Sequence, residues 1–186
     1  MDKSVCLIIA KGDSKRIPNK NAIDFNGKPM FLWNVLKCLA IFDKTYVSSD
    51  YDFILDTAKR YGAIPIKRPR RLCGNIPNIP VYQHAYSKMK PQPEAIVAVQ
   101  ANSPTIEKWI IEQGKDIIEN TIFPINEFMT VDERRKLYGS VWAIRAEKLM
   151  NYGNPYKRNP DSTLIDISVD IHYPEDIIDA LKQIKI

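Results

Sequence analysis

An alternation constrains this chain more than any other feature. Short runs of β-prone apolar residues take turns with longer stretches whose apolar residues recur at helical spacing. Residues 4–10 and 95–99 are almost without polar side chains. A strand with no polar face is buried on both sides, which is the condition of strands inside a parallel sheet. Between such runs, residues 29–40 place Met30, Leu32, Trp33, Leu36 and Leu39 on a helical stripe, with Pro29 in the first turn. Residues 51–61 do the same with Ile54, Leu55 and Ala58; Ser49 and Asp50 are candidate caps, and Gly62 is a plausible stop. Further helices are expected over 79–89, 105–119, 146–152 and 174–185. Further strands are expected over 45–48, 63–66, 139–144 and 164–169, and Pro65 puts the second of these at an edge. Residues 121–131 are β-prone without a decisive period. The pattern predicts an α/β fold, a three-layer α/β/α sandwich with a mostly parallel central sheet. Ligands of such sheets sit at the carboxyl ends of strands. That points to Lys11 onward, Ser48 to Asp50, Gln100 to Pro104, and Asp170 to His172.

Composition narrows the classes. The 186 residues are 45% apolar and 26% charged, which suits one folded domain over residues 1–186. No apolar run approaches the roughly 18–20 residues of a membrane span, and no secretory leader is recognisable, so the expected compartment is the cytoplasm. Three scattered cysteines and two histidines exclude a disulfide framework, a zinc ribbon and a His-rich centre. A metal here must lean on carboxylates, which favours a hard ion such as Mg²⁺. The net charge is +5, concentrated in Lys11, Lys15, Arg16, Lys20 and Lys28 and in Lys67, Arg68, Arg70 and Arg71. Aromatic residues do not interleave with these cations, so nucleic acid is not the expected partner.

The densest chemistry lies in residues 10–21, between the first strand and the first helix. Four cations, one glycine, and Ser and Asn donors occupy this loop. Compact positive charge with several donors, and a glycine that lets backbone amides approach, suits a polyphosphate. The spacing fits neither a Walker A loop nor a dinucleotide fingerprint.

This loop, from Ile8 through Lys11, Gly12, Ser14, Lys15, Arg16, Pro18 and Lys20 to Asn21, closely resembles the N-terminal signature of the CMP-sugar synthetases. These are the acylneuraminate cytidylyltransferases and their pseudaminate and ketodeoxyoctonate relatives. Asn26 to Pro29, Val47 to Asp50, Lys67 to Pro69 with Leu72, Gln100 with Ser103 and Pro104, and Ser168 to Asp176 agree in order. The resemblance implies a fold of the nucleotide-diphospho-sugar transferase type. It implies transfer of a cytidylyl group from CTP to an acidic sugar, a nonulosonic or octulosonic acid, with pyrophosphate released. By the same resemblance Lys11, Lys15 and Lys20 neutralise the phosphates. Ala10, Gly12, Ser14, Arg16, Asn21 and Arg68 contact the nucleotide, and Gln100, Asn102 and Ser103 orient the acceptor. Asp170, with His172, holds a divalent metal, Mg²⁺ or Mn²⁺.

The departures are specific. Lys11 replaces an arginine and loses its bidentate fork. Asp13 replaces a glycine and brings a carboxylate towards the phosphates. His172 replaces a second metal-binding aspartate. The family's dimerisation and acceptor insert is reduced to about residues 121–140, where Arg134, Arg135 and Lys136 are candidate contacts for an acceptor carboxylate; the resemblance implies a homodimer. Two alternatives stay open. One is a related nucleotidylyltransferase using another nucleotide, or a phosphate or phosphonate acceptor; the other is a degenerate module that binds nucleotide without turnover. Outside these motifs structural roles are expected: core positions for Trp33, Trp109 and Trp142, a solvated rim for Arg70 and Arg71, and helix-dipole contacts for Glu175 and Asp176.

Overall fold

The computed structural model describes residues 2–184. In chain order its regular elements begin with β1 (Ser4–Ile9), a small hairpin of β2 (Asp24–Phe25) and β3 (Lys28–Pro29), α1 (Met30–Leu39), β4 (Thr45–Ser49), α2 (Asp52–Arg60) and β5 (Ile64–Lys67). They continue with α3 (Asn78–Lys88), β6 (Ala95–Gln100), α4 (Lys108–Glu119), β7 (Glu127–Val131), β8 (Leu137–Arg145), α5 (Ala146–Met150), β9 (Ser162–Ile165) and α6 (Pro174–Gln183). Seven strands form one sheet in the order β5-β4-β1-β6-β8-β7-β9. All run parallel except β8, which is antiparallel to both neighbours. The reversal has a local cause. A short turn over residues 132–136 joins β7 to β8, and so short a link can only make a hairpin.

Two apolar layers confirm why β1 lacks a polar face. Cys6 and Ile8 point into a core shared with Phe31, Leu32 and Val35 of α1, Ile54 of α2 and Ile110 and Ile111 of α4. Val5 and Leu7 point the other way, against Ile79 and Tyr82 of α3 and Leu149 of α5. Each fully buried side chain of this size contributes about 1.5–3 kcal/mol of transfer energy, so β1 is fixed from both sides. A third, smaller cluster packs α6 through Ala180, with Ile171, against Ile17, Phe25 and Met30.

Four details differ from the sequence reading. The strand expected over 164–169 runs Ser162–Ile165. It stops because the Asp166 carboxylate accepts from the Ser168 amide at 2.9 Å and the Ser168 hydroxyl at 2.6 Å, a local turn that competes with the ladder. Helix α4 starts at Lys108 rather than 105, after a turn closed by the Ile106 amide on the Ser103 carbonyl. Residues 121–140 form no separate lobe: they supply β7 and the start of β8 to the central sheet, leaving only the turn at 132–136 projecting. Trp109 is 47% exposed, whereas Trp142 is buried. The edge position of β5 is as Pro65 implies. No helix among the described residues is long and apolar enough to cross a membrane.

Candidate active site

The loop after β1 is held at both ends and in the middle. The Ala10 amide extends the ladder to the Ser48 carbonyl at 3.0 Å. The Asn21 Nδ2 reaches back to the Lys11 carbonyl at 2.9 Å. The Gly12 amide donates to Asp50 Oδ1 at 2.8 Å. A Cβ on Gly12 would lie 2.6 Å from the Cβ of Tyr51, far inside normal carbon contact. The glycine therefore admits the start of α2 rather than a ligand, and its amide is already committed. Asp50, read from sequence as a helix cap, serves as the anchor of this loop; Ser49 Oγ accepts from the Tyr51 amide instead.

A cleft of about 610 Å³ opens at the carboxyl ends of β1, β5 and β6. Lys11, Ser14, Lys15, Arg16, Lys20 and Asn21 of the first loop line it. So do Arg68 after β5, Gln100 and Asn102 at the end of β6, and Asp170 and His172 before α6. Three predicted residues are elsewhere. Ala10 and Ser103 are fully buried, and Gly12 sits beneath Tyr51; the Ser103 hydroxyl faces that of Tyr138 at 3.1 Å. Nor do Arg134, Arg135 and Lys136 reach the wall; they are exposed at the β7–β8 turn. Arg70 and Arg71 are exposed and off the wall as well. One wall was missed: Leu72, Asn75, Ile76, Asn78, Val81 and Tyr82. Apart from Leu72, which belongs to the resemblance, its only sequence signal is position, since the Pro- and Asn-rich stretch 68–80 follows a strand end.

The electrostatics follow from the same geometry. Five cations face two carboxylates, Asp13 and Asp170, so the cleft is net positive. Arg68 is almost wholly buried, with Nε on Ser48 Oγ at 3.1 Å and Nη2 on the Ser48 carbonyl at 2.6 Å. Lys20 donates to the Ile171 carbonyl. Burial lowers its pKa, with Lys11 and Arg16 adding to the effect and Asp170 opposing it. Burial likewise raises Asp170, while His172 and Lys20 pull it back. Asp170 Oδ2 meets His172 Nε2 at 2.8 Å, and its other oxygen accepts from Asn102 Nδ2. Asp176 accepts from the amides of His172 and Tyr173 at 2.7 Å each, fixing the start of α6.

Asp170 and His172, here paired with each other, are the side chains of the cleft that could hold a divalent ion. No group of three or more His, Cys, Asp or Glu side chains with that capacity exists among the described residues. Two donors beside a cationic cleft suit an ion that takes its other positions from phosphate oxygens and water, not an all-protein cage.

A mostly parallel sheet with helices on both faces, and a cationic cleft at its strand ends, define an α/β domain of the class that binds anionic ligands beyond its strands. The cytidylyltransferase sequence profile matches residues 5–121. The chain belongs to that family. A pseudaminic acid cytidylyltransferase of Campylobacter jejuni is 32% identical over 154 residues, 73% of this chain and 66% of that enzyme, so the match spans just under two thirds of its length. A CMP:2-keto-3-deoxy-manno-octonic acid synthetase complexed with CTP shares the fold with a TM-score of 0.78, over 97% of this chain and 98% of the other, at 14% identity. Rv0371c of Mycobacterium tuberculosis H37Rv, complexed with manganese, shares it with a TM-score of 0.69 at 12% identity, over 97% and 98%.

Proposed function

We propose that this protein transfers the cytidylyl group of CTP to a hydroxyl of an acidic sugar of the nonulosonic or octulosonic class, releasing pyrophosphate. One observation carries the reading. The cations of the first loop and the Asp170–His172 pair, 150 or more residues apart in sequence, face one cleft. The 32% identity to a pseudaminic acid cytidylyltransferase supports the nonulosonic class in particular.

In this reading the acceptor hydroxyl attacks the α-phosphate in line, and catalysis is positioning plus charge stabilisation. Lys11, Lys15 and Arg16 gather the triphosphate. Lys20, steadied on the Ile171 carbonyl, is the most constrained of the first loop's cations and stabilises charge that grows as pyrophosphate departs. Arg68, already fixed on Ser48, forms a rigid wall for the nucleoside. Gln100 and Asn102 orient the acceptor; Gln100 Nε2 is tied back to the Tyr138 carbonyl at 3.4 Å. Asp170 and His172 would hold Mg²⁺ or Mn²⁺, which when bound supplies Lewis-acid polarisation of the phosphate.

The test is pyrophosphate release with CTP, ATP, GTP and UTP, each with Mg²⁺ or Mn²⁺, against a panel of nonulosonic and octulosonic acids. Release with CTP and one acid is expected. Release with another nucleotide, or silence across the panel, overturns the proposal.

A further inference from the structure

Two polar residues of α1 play no part in the chemistry above, yet four of their five side-chain hydrogen bonds go to one connection and the fifth joins the two residues. Asn34 is fully buried. Its Nδ2 donates to the carbonyls of Gln100 and Ser103, each at 2.8 Å. Lys37, one helical turn on, donates to Asn34 Oδ1 at 3.1 Å and to the carbonyls of Pro104 and Ile106, each at 2.7 Å. Neither residue caps α1, since both lie within it, and an apolar side chain at either position would leave carbonyls of that connection without these donors. Their hydrogen bonds leave the helix for the β6–α4 connection, which carries Gln100 and Asn102.

The same connection grips the segment bearing Asp170. The Ile171 amide donates to the Asn102 carbonyl at 2.9 Å, and the Val169 amide to Thr105 Oγ1 at 2.9 Å. Asn102 Nδ2 donates to Asp170 itself. The contacts run in series from α1 to the β6–α4 connection to residues 169–171.

We propose that Asn34 and Lys37 are positioning residues for the acceptor end of the cleft, setting Gln100, Asn102 and, through them, Asp170. Neither touches substrate. The proposal rests on the reading of the cleft as a cytidylyltransferase site. Nucleotide contacts on the first loop have their own anchors at Ser48, Asp50 and Asn21, and Lys20, on the Ile171 carbonyl, links that loop to residues 169–171.

Lys37→Met keeps the length and removes the ammonium; Lys37→Gln keeps a donor that is too short, and is the milder variant should the first fold poorly. Two readouts are needed. In kinetics, the acceptor KM should rise at least fivefold, and the KM for CTP, felt only through Lys20 and Asp170, by a clearly smaller factor. In amide hydrogen exchange, residues 101–106 and 169–171 should exchange at least tenfold faster, while 4–21 keep wild-type protection. Leu149→Ala, in α5 and fully buried, is the control for simple destabilisation: it should lower Tm without shifting the acceptor KM. Uniform acceleration along the chain, or equal rises in both KM values, overturns the positioning role and leaves the cytidylyltransferase reading intact. Acceleration confined to those two segments supports it even in a protein that transfers nothing to any acid, in which case only the functional reading falls.

Discussion

Gly12→Ala is a one-methyl perturbation whose effect the geometry sets. The new Cβ would lie 2.6 Å from Tyr51 Cβ and 3.0 Å from its Cγ. Carbon atoms settle at about 3.5–4.0 Å, so roughly 1 Å must be found. Neither Cβ can rotate away, because both are fixed to backbone. Residue 12 or the start of α2 must shift, and the Gly12–Asp50 hydrogen bond of 2.8 Å shifts with it. Overpacking of this kind costs about 1–3 kcal/mol, which for a chain of this size lowers Tm by about 2–12 °C. A displacement near 1 Å at a positioning loop costs about 100-fold in rate. The expected result is a fall of about 10–100-fold in kcat/KM for CTP, measured by coupled pyrophosphate release, alongside the Tm drop. Tyr51→Gly removes the opposing Cβ, so in the Gly12→Ala background it should recover most of the lost kcat/KM. If Gly12→Ala leaves kcat/KM within twofold of wild type, or if Tyr51→Gly restores nothing, the close-packing account of this glycine is wrong.

Three further outcomes are expected. Lys20→Ala should lower turnover by at least about 100-fold, the scale of losing one preorganised charge contact at the departing phosphate; near-normal turnover would remove Lys20 from the site. His172→Asp should lower the Mg²⁺ concentration that half-saturates pyrophosphate release more than it lowers the Mn²⁺ one, since Mg²⁺ favours oxygen donors; equal shifts for both ions would contradict a direct role for His172. Burial holds the Lys37 amine at about 8, below its usual 10.5, despite the opposing pull of Cys38, Asp166 and Glu107. Between pH 8 and 10.5 the unfolded chain binds a proton that the folded chain does not, so stability from this group rises with pH, by up to about 3 kcal/mol. The stability of wild type relative to Lys37→Met should grow across that window in denaturant melts; a flat difference would refute the shift.

What the sequence made legible, and what it did not, divides along physical lines. β1, α1 and β6 announce themselves because each satisfies a single local rule: an unbroken apolar run, or a stripe of period 3.6. The first loop is legible as chemistry because its cations crowd into a dozen residues. Asn34 and Lys37 are not, because on an amphipathic helix a polar residue reads as solvent-facing until its distant acceptors are known. The same holds for Tyr82, whose spacing matches core packing and whose exposure to the cleft depends on how the 68–77 stretch folds back. Gly12 is half legible: its smallness matters, but the neighbour that demands it, Tyr51, lies 39 residues downstream. Asp166 ends its strand through a side chain that competes with the ladder, which apolar periodicity cannot register.

The lone antiparallel strand has a consequence for how such a domain can diversify. Because β8 runs against β6 and β7, the turn at residues 132–136 emerges at the same end of the sheet as Gln100. Extra chain inserted there would leave every ladder pairing upstream and downstream in register, and the closure cost of a longer loop grows only as the logarithm of its length. It would also emerge beside the acceptor end of the cleft. In the proposed reading, length added at this turn would extend the protein on the acceptor side of the cleft, away from the Ser48, Asp50 and Asn21 anchors of the first loop.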